Sequence, residues 1–106
     1  MYKSSLGPKG VGAFLEEEGG VVWFYLFDDH REESKKIVTA LKVCSRGHGL
    51  KSKDFHLVWD KTGTRVGLQI RGELWAVFDT KKLKSRYSSY EPDGAPDLPP
   101  GAVKGF

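Results

Sequence analysis

The sequence predicts an α+β fold: a five-stranded, mainly antiparallel sheet in the order β-β-α-β-β-β, with one helix packed on one face and an extended proline-rich C-terminal tail. Three observations support this prediction. Short runs of β-forming residues are separated by glycine-containing turns, and one central stretch repeats its apolar residues at helical spacing. Four of the five prolines lie between residues 92 and 100, where they exclude a helix or a central strand. A chain of 106 residues has room for one hydrophobic core.

The first two strands are predicted at residues 11–18 and 21–27, on either side of a hairpin turn at Gly19-Gly20. The second of these runs, VVWFYLF, is rich in β-forming residues and is apolar on both faces. Such a composition is typical of a central strand. Asp28 and Asp29 follow the run and are expected to end the strand and to cap the next element.

A helix is predicted over about residues 31–44, packed on one face of the sheet. Its apolar residues recur at helical spacing, at Ile37, Ala40, Leu41 and Cys44. Acidic residues precede this stretch and basic residues follow it, which is the arrangement that the helix dipole favours. Gly47 stands where a helix-terminating glycine is expected.

Three further strands are predicted at residues 55–59, 64–71 and 74–79. The last two form a hairpin with Gly72 at its centre, and this register places Gln69 opposite Trp75 on the side away from the helix. The facing of Trp59 stays open. A three-residue turn after it directs the side chain outward, whereas a four-residue loop directs it into the core.

The tail begins near residue 81. We expect residues 1–80 to form a single α+β domain and residues 81–106 to form a basic and then proline-rich tail, either packed on the domain or partly mobile. One 14-residue helix, about 21 Å long and about 10 Å wide, covers roughly half of one face of a sheet about 24 Å wide. The opposite face, apolar at its centre, must therefore be covered by the tail, by a second copy of the chain or by another partner.

Residues that could carry metal or covalent chemistry are scattered. His30, His48 and His56 lack the spacing of a metal site, and Cys44 lies on the predicted apolar stripe, where a small core residue is expected rather than a nucleophile. A single cysteine excludes an intrachain disulfide and fits a reducing compartment. The start of the chain lacks the apolar stretch of a signal peptide. We therefore predict a cytoplasmic protein that is not an enzyme, needs no cofactor or metal, and has no membrane contact.

The central prediction is a protein-binding surface on the sheet face that the helix leaves open. Aromatic residues in its middle and polar residues at its border make up this surface: Trp23, Tyr25, Trp75 and Val77, bordered by Arg65, Gln69 and Arg71. The partner is expected to be another protein or a second copy, as a homodimer. The function that fits is that of a small accessory protein acting by protein–protein contact, with toxin immunity as one form of it.

An alternative function is the binding of single-stranded nucleic acid by the start of the tail. Basic residues are followed there by aromatic ones, in the order Lys81, Lys82, Lys84, Arg86, Tyr87 and Tyr90. Basic side chains bind phosphates, and aromatic rings stack on bases. The net charge of +3 is small for a dedicated nucleic-acid-binding protein, so we rank this function second.

One part of the chain resembles a family of small bacterial proteins that share a conserved domain of unknown function. The resemblance covers residues 58–79, through Val58-Trp59-Asp60, Gly63, the run VGLQIRG at residues 66–72, and Ala76-Val77-Phe78-Asp79. It implies a bacterial origin and a compact stand-alone domain, and it assigns no catalytic residue.

Overall fold

The computed structural model describes residues 1–106 and contains two four-stranded antiparallel sheets. The first sheet consists of β1 (Tyr2–Leu6), β2 (Val11–Glu18), β3 (Val21–Asp28) and β4 (Ile37–Cys44). The second consists of β5 (Phe55–Trp59), β6 (Arg65–Ile70), β7 (Glu73–Asp79) and β8 (Lys84–Tyr87). One short helix, α1 (Pro100–Val103), and two 3-10 turns, Glu33–Lys35 and Ser52–Asp54, complete the fold. The prediction of one five-stranded sheet with a packed helix is therefore wrong, because the chain is mostly β.

Each strand pairs with its neighbour in sequence, so both sheets are simple meanders. Two-residue turns connect β2 to β3 and β6 to β7. In the first turn Gly19 and Gly20 have φ of 60° and 82°, and in the second Arg71 and Gly72 have φ of 51° and 83°. Two successive residues with positive φ make the turn type whose twist matches that of the flanking strands.

The predicted helix at residues 31–44 is instead occupied mostly by β4. Leu41 and Val43 are buried and Lys42 between them is exposed, which is the alternation of a strand. The apolar residues of this segment are three and four positions apart, which also fits a helix. The segment forms a strand because β3 is a central strand, and its backbone needs a hydrogen-bonding neighbour on each side. β4 is that second neighbour. The two aspartates do not cap a helix: the Asp28 carboxylate accepts from the His30 backbone amide, and Asp29 pairs with Lys36.

The strands β1 and β8 are additions to the predicted set. On β1 the apolar side chains of Tyr2 and Leu6 are exposed, while Lys3 and Ser5 face inward and are half-buried. β8 reads KSRY and lies in the segment expected as tail. Neither strand has the apolar-in, polar-out pattern that identifies a strand in sequence. Both are edge strands, which depend on their neighbours for support.

The core lies between the two sheets. All but one of its sixteen buried residues come from the two sheets, and the exception, Leu50, lies in the loop between them. The residues from the sheets include Leu15, Val22, Phe24, Leu26, Val43, Phe55, Val66, Leu68, Ile70, Trp75 and Phe78. The rings of Phe24 on β3 and Phe78 on β7 stack across the interface with their centroids 4.5 Å apart. Trp59 packs against this cluster and donates from Nε1 to Ser5 Oγ on β1 at 2.7 Å, so its side chain joins the edges of the two sheets.

A β-bulge shifts the register of the β6–β7 hairpin. The outer pairs, such as Leu68 with Ala76, are as predicted, but Gln69 pairs with Leu74 and not with Trp75. The sequence predicts a three-residue turn centred on Gly72, but the turn has two residues, which shifts the pairing next to it by one position. Trp75 has no partner on β6, and this extra residue on β7 restores the predicted pairing from Leu68 onward. Trp75 belongs to the core cluster and is 1% exposed.

Candidate protein-binding surface

Five aromatic side chains lie on the outer face of the first sheet. This aromatic face consists of Tyr2, Phe14, Trp23, Tyr25 and Phe27. The Phe14 ring stacks on the Tyr25 ring with centroids 4.4 Å apart. The Phe14 ring also lies 5.7 Å from Tyr2 and 5.9 Å from Phe27, and Trp23 lies 6.5 Å from Tyr25. Phe14 is therefore the centre of a continuous cluster of rings.

The alternation of side chains along the strands creates this arrangement. Because successive residues of a strand point to opposite faces, Phe24 and Leu26 of β3 enter the core while Trp23 and Tyr25 point outward. The antiparallel register then places Phe14 of β2 directly opposite Tyr25. Cross-strand aromatic pairs of this kind stabilise a sheet by about 0.5–1 kcal/mol each.

The aromatic face remains accessible to solvent. Tyr2 is 62% exposed, the other four rings are partly exposed, and none belongs to the core cluster. Leu6 and Ile37 extend the apolar surface at its margin, and Ile37 is 54% exposed. A contiguous apolar surface of this kind is unusual on a monomer and typically marks an interaction site.

Charged residues border one end of the aromatic face. Glu16 on β2 and Lys42 on β4 are the partners of Trp23 in the sheet, so Trp23 lies between a carboxylate and an ammonium group. Partial burial raises the pKa of the Tyr25 phenol, and the nearby charges of Glu16 and Glu18 raise it further. The phenol is therefore a neutral hydrogen-bond donor within the aromatic face.

The outer face of the second sheet is covered by the C-terminal segment. The Phe106 ring lies against Gly67, where an added Cβ would come within 3.0 Å of it. α1 packs on β7, and Val77 is buried there. The side chain of Arg65 holds this segment: its guanidinium donates to the backbone carbonyls of Gly101, Ala102 and Lys104.

The seven residues predicted as one protein-binding surface are divided between the two sheets. Trp23 and Tyr25 lie together on the aromatic face. Trp75 and Val77 lie in the second sheet, where both are buried. Arg65 and Gln69 lie on β6 of the same sheet and are half-buried, and Arg65 contacts the C-terminal segment. Arg71 lies in the β6–β7 turn, with its Nε 3.5 Å from Asp54.

Sequence reasoning missed Tyr2, Phe14 and Phe27. The sequence does contain a signal for two of them. Phe27 is two residues from Tyr25 on β3 and therefore points to the same face. The hairpin turn at Gly19-Gly20 places Phe14 directly opposite Tyr25. Tyr2 carried no such signal, since the strand that contains it was not predicted.

The residues of the nucleic-acid alternative are brought only partly together. Lys81 and Lys82 lie in the turn between β7 and β8, and Lys84 and Arg86 lie on β8. The Tyr87 ring follows them and is 46% exposed. Tyr90 is separated from this group, because its ring packs on Trp75 with centroids 5.0 Å apart and its amide donates to the Val43 carbonyl.

A histidine–carboxylate pair lies near the single cysteine. His48 Nε2 is 2.6 Å from Glu17 Oε2, and His48 Nδ1 accepts the Leu50 backbone amide at 2.9 Å. Both ring nitrogens are thus occupied. Burial raises the pKa of the Cys44 thiol to about 12, and the charge of Glu17 adds to the shift. A buried thiol of this kind is a weak nucleophile at neutral pH.

No group of three or more histidine, cysteine, aspartate or glutamate side chains in the chain could hold a metal ion. No helix has the length and apolar character needed to cross a membrane. No known protein family, curated protein or solved structure matches this chain. The resemblance of residues 58–79 to a bacterial family therefore stays a prediction.

Proposed function

We propose that this is a non-enzymatic binding protein that works by protein–protein contact, and that its aromatic face binds the same face of a second copy. The observation that carries the proposal is the cluster of five rings on the outer face of the first sheet, open to solvent. Aromatic residues are enriched, and charged residues depleted, at the centre of protein interfaces.

The shape of the aromatic face favours a second sheet as its occupant. Twisted sheets pack face to face about 10 Å apart, with their side chains interdigitating. Three of the four strands have eight residues and β1 has five, so strands about 4.8 Å apart with a rise of about 3.4 Å per residue give a face of at most about 19 by 27 Å. This area, roughly 500 Å², is smaller than the roughly 800 Å² per partner of a standard interface, so the dimer that we propose is a weak one. A second copy presents a surface of the same size, twist and composition.

The charges at the border are also compatible with self-association. Because Glu16 and Lys42 flank Trp23 on the same face, each copy offers both a carboxylate and an ammonium group at its border. A two-fold axis places identical surfaces against each other, so a surface that contains both signs is able to pair with itself.

The experiment measures sedimentation of the purified chain over a wide range of concentration. We expect a monomer–dimer equilibrium that Tyr2→Lys and Tyr25→Lys shift toward the monomer, because each substitution places an unpaired charge in the apolar interface. Tyr87→Lys is the matched control, since it changes the same residue type at an exposed position of β8. Circular dichroism of each variant confirms that the fold is retained.

Two outcomes contradict the proposed self-association. One is a wild-type chain that sediments as a monomer up to millimolar concentration, and the other is a dimer that Tyr2→Lys and Tyr87→Lys weaken equally. A monomeric chain would direct the search to a different protein on the aromatic face. The immunity form of the hypothesis then predicts that the partner is a toxin encoded beside this protein.

A further inference from the structure

A cleft separates β8 from the C-terminal segment on the outer side of the second sheet. It has a volume of about 350 Å³, and the apolar part of its wall comes from Val77, Pro99 and Ala102. Lys82, Lys84 and Arg86 line its other side. The aromatic face lies on the other sheet, so the cleft is a separate feature of the molecule.

The positive charges of the cleft have no acidic partners. Lys82, Lys84 and Arg86 take part in none of the ion pairs of the structure. The one carboxylate in the cleft is Asp79, whose Oδ1 already accepts the backbone amides of Lys81 and Lys82 at 2.9 Å each. Arg65 also lines the cleft, but its charge is paired with Asp60. The cleft is therefore positively charged, because three cations without an ion-pair partner face a single carboxylate that already accepts two hydrogen bonds.

The spacing of these cations follows the strand. Lys84 and Arg86 are two residues apart on β8 and pair with Asp79 and Val77, so both point to the outer face of the sheet. Lys82 continues the row into the turn. Tyr87 is the next residue of β8 and pairs with the core residue Ala76, so its side chain points to the opposite face of the sheet and does not line the cleft. A groove lined by a row of cations is the feature with which proteins that bind single-stranded nucleic acid follow the phosphate backbone.

We propose that this cleft binds the phosphate groups of single-stranded nucleic acid through Lys82, Lys84 and Arg86. Charged side chains on an edge strand have another known role, since they prevent strands of different molecules from pairing. The two roles make different predictions. An edge-protecting role predicts aggregation when the charges are removed, and no effect on nucleic acid.

The experiment measures the fluorescence anisotropy of a labelled single-stranded oligonucleotide with the full chain as salt is raised. Three phosphate contacts predict a slope of log affinity against log salt of about −2, since each contact on a single strand contributes about −0.7. The double variant Lys84→Gln/Arg86→Gln is expected to bind more weakly, with a slope of about −0.7. The matched control Lys35→Gln/Lys53→Gln removes the same charge at exposed positions outside the cleft and should keep the wild-type slope.

Three results overturn the proposal. The first is a wild-type chain that does not bind the oligonucleotide at low salt. The second is an equal loss of slope in the two double variants, which would show attraction by net charge alone. The third is competition by a nucleoside monophosphate as strong as by the oligonucleotide, which would identify a site for a single phosphate.

Discussion

Arg65 and Asp60 form the pair that joins the β5–β6 turn to the end of the chain. The Arg65 Nε donates to Asp60 Oδ2 at 3.0 Å, and the Asp60 carboxylate is buried. The rest of the guanidinium binds carbonyls of residues 101, 102 and 104 and lies over the Phe106 ring, 5.4 Å from its centroid. The Lys61 amide adds a bond to the Gly105 carbonyl at 2.8 Å.

Replacement of Arg65 should release the C-terminal segment. We expect Arg65→Gln to lower the free energy of unfolding by about 3 kcal/mol, because it leaves a buried carboxylate without its cation. Hydrogen exchange should show faster exchange of the amides of residues 102–106, while Arg71→Gln, in an exposed turn, serves as the control. Unchanged protection of these amides in Arg65→Gln would contradict the assigned role.

The Asp60 carboxylate should make stability depend on pH in acid. Burial opposes its ionisation, but hydrogen bonds from the Arg65 amide and side chain, the Thr62 hydroxyl and the Thr64 amide outweigh that effect and lower the pKa from 3.8 to about 2. The unfolded chain therefore takes up the proton first as pH falls. The stabilisation is complete above about pH 4 and is lost toward pH 2, a change of about 2 kcal/mol.

The measurement is urea unfolding at several pH values. Asp60→Asn should be less stable than the wild type at pH 7 and should lose less stability between pH 4 and pH 2. Asp93→Asn, at an exposed position, should keep the wild-type dependence. An Asp60→Asn curve parallel to that of the wild type would show that other carboxylates determine the acid transition.

The two tryptophans Trp75 and Trp23 should respond differently to truncation. Trp75→Ala removes a buried ring from the core and should cost about 3–5 kcal/mol of unfolding free energy. Trp23→Ala, on the aromatic face, should cost about 1 kcal/mol. The Trp75 Nε1 has no hydrogen-bond partner, so Trp75→Phe should cost much less than Trp75→Ala. Equal losses for both alanine variants in denaturant unfolding would contradict this assignment.

Gly12 tests the pairing of β1 with β2. An added Cβ would lie 2.3 Å from the Ser5 carbonyl oxygen and 2.8 Å from Leu6 Cα, both backbone atoms of β1. Gly12→Ala should therefore force the strands apart and destabilise the chain by about 1–3 kcal/mol. Gly101→Ala, where nothing lies within 4 Å, is the matched control and should be neutral. A Gly12→Ala variant as stable as the control would be inconsistent with the β1–β2 register.

The central strands could be predicted because their composition reflects their burial. β3 is apolar on both faces, and β5 to β7 have clear turn residues between them. The sequence of β4 also fits a helix, because Ile37, Leu41 and Cys44 recur with a period of about 3.6 residues. Ile37, Val38, Thr39 and Val43 are β-branched, however, and such side chains favour a strand. The choice between helix and strand depends on β3, which needs a second hydrogen-bonded neighbour. That requirement comes from the tertiary structure, so the local sequence does not show it.

The candidate surface was predicted in part for a similar reason. Alternation along β3 placed Trp23 and Tyr25 on one face correctly relative to each other. Trp75 would share that face only if all the strands formed one sheet and if the turn at Gly72 had three residues. The structure has two sheets and a two-residue turn at this point. Arg71 adopts a positive φ of 51°, which is uncommon for a residue with a side chain, so the shorter turn had no strong sequence signal.

The chain passes from one sheet to the other once, between Cys44 and Phe55, and all strand pairing is between sequence neighbours. Every strand therefore pairs only with strands of its own half of the polypeptide. The two halves contact each other through side chains and through one backbone hydrogen bond, from the Tyr90 amide to the Val43 carbonyl. An exchange of halves between two molecules would therefore leave every strand pairing intact and would disrupt only the core packing, the Tyr90–Val43 bond and the contacts of the connecting loop.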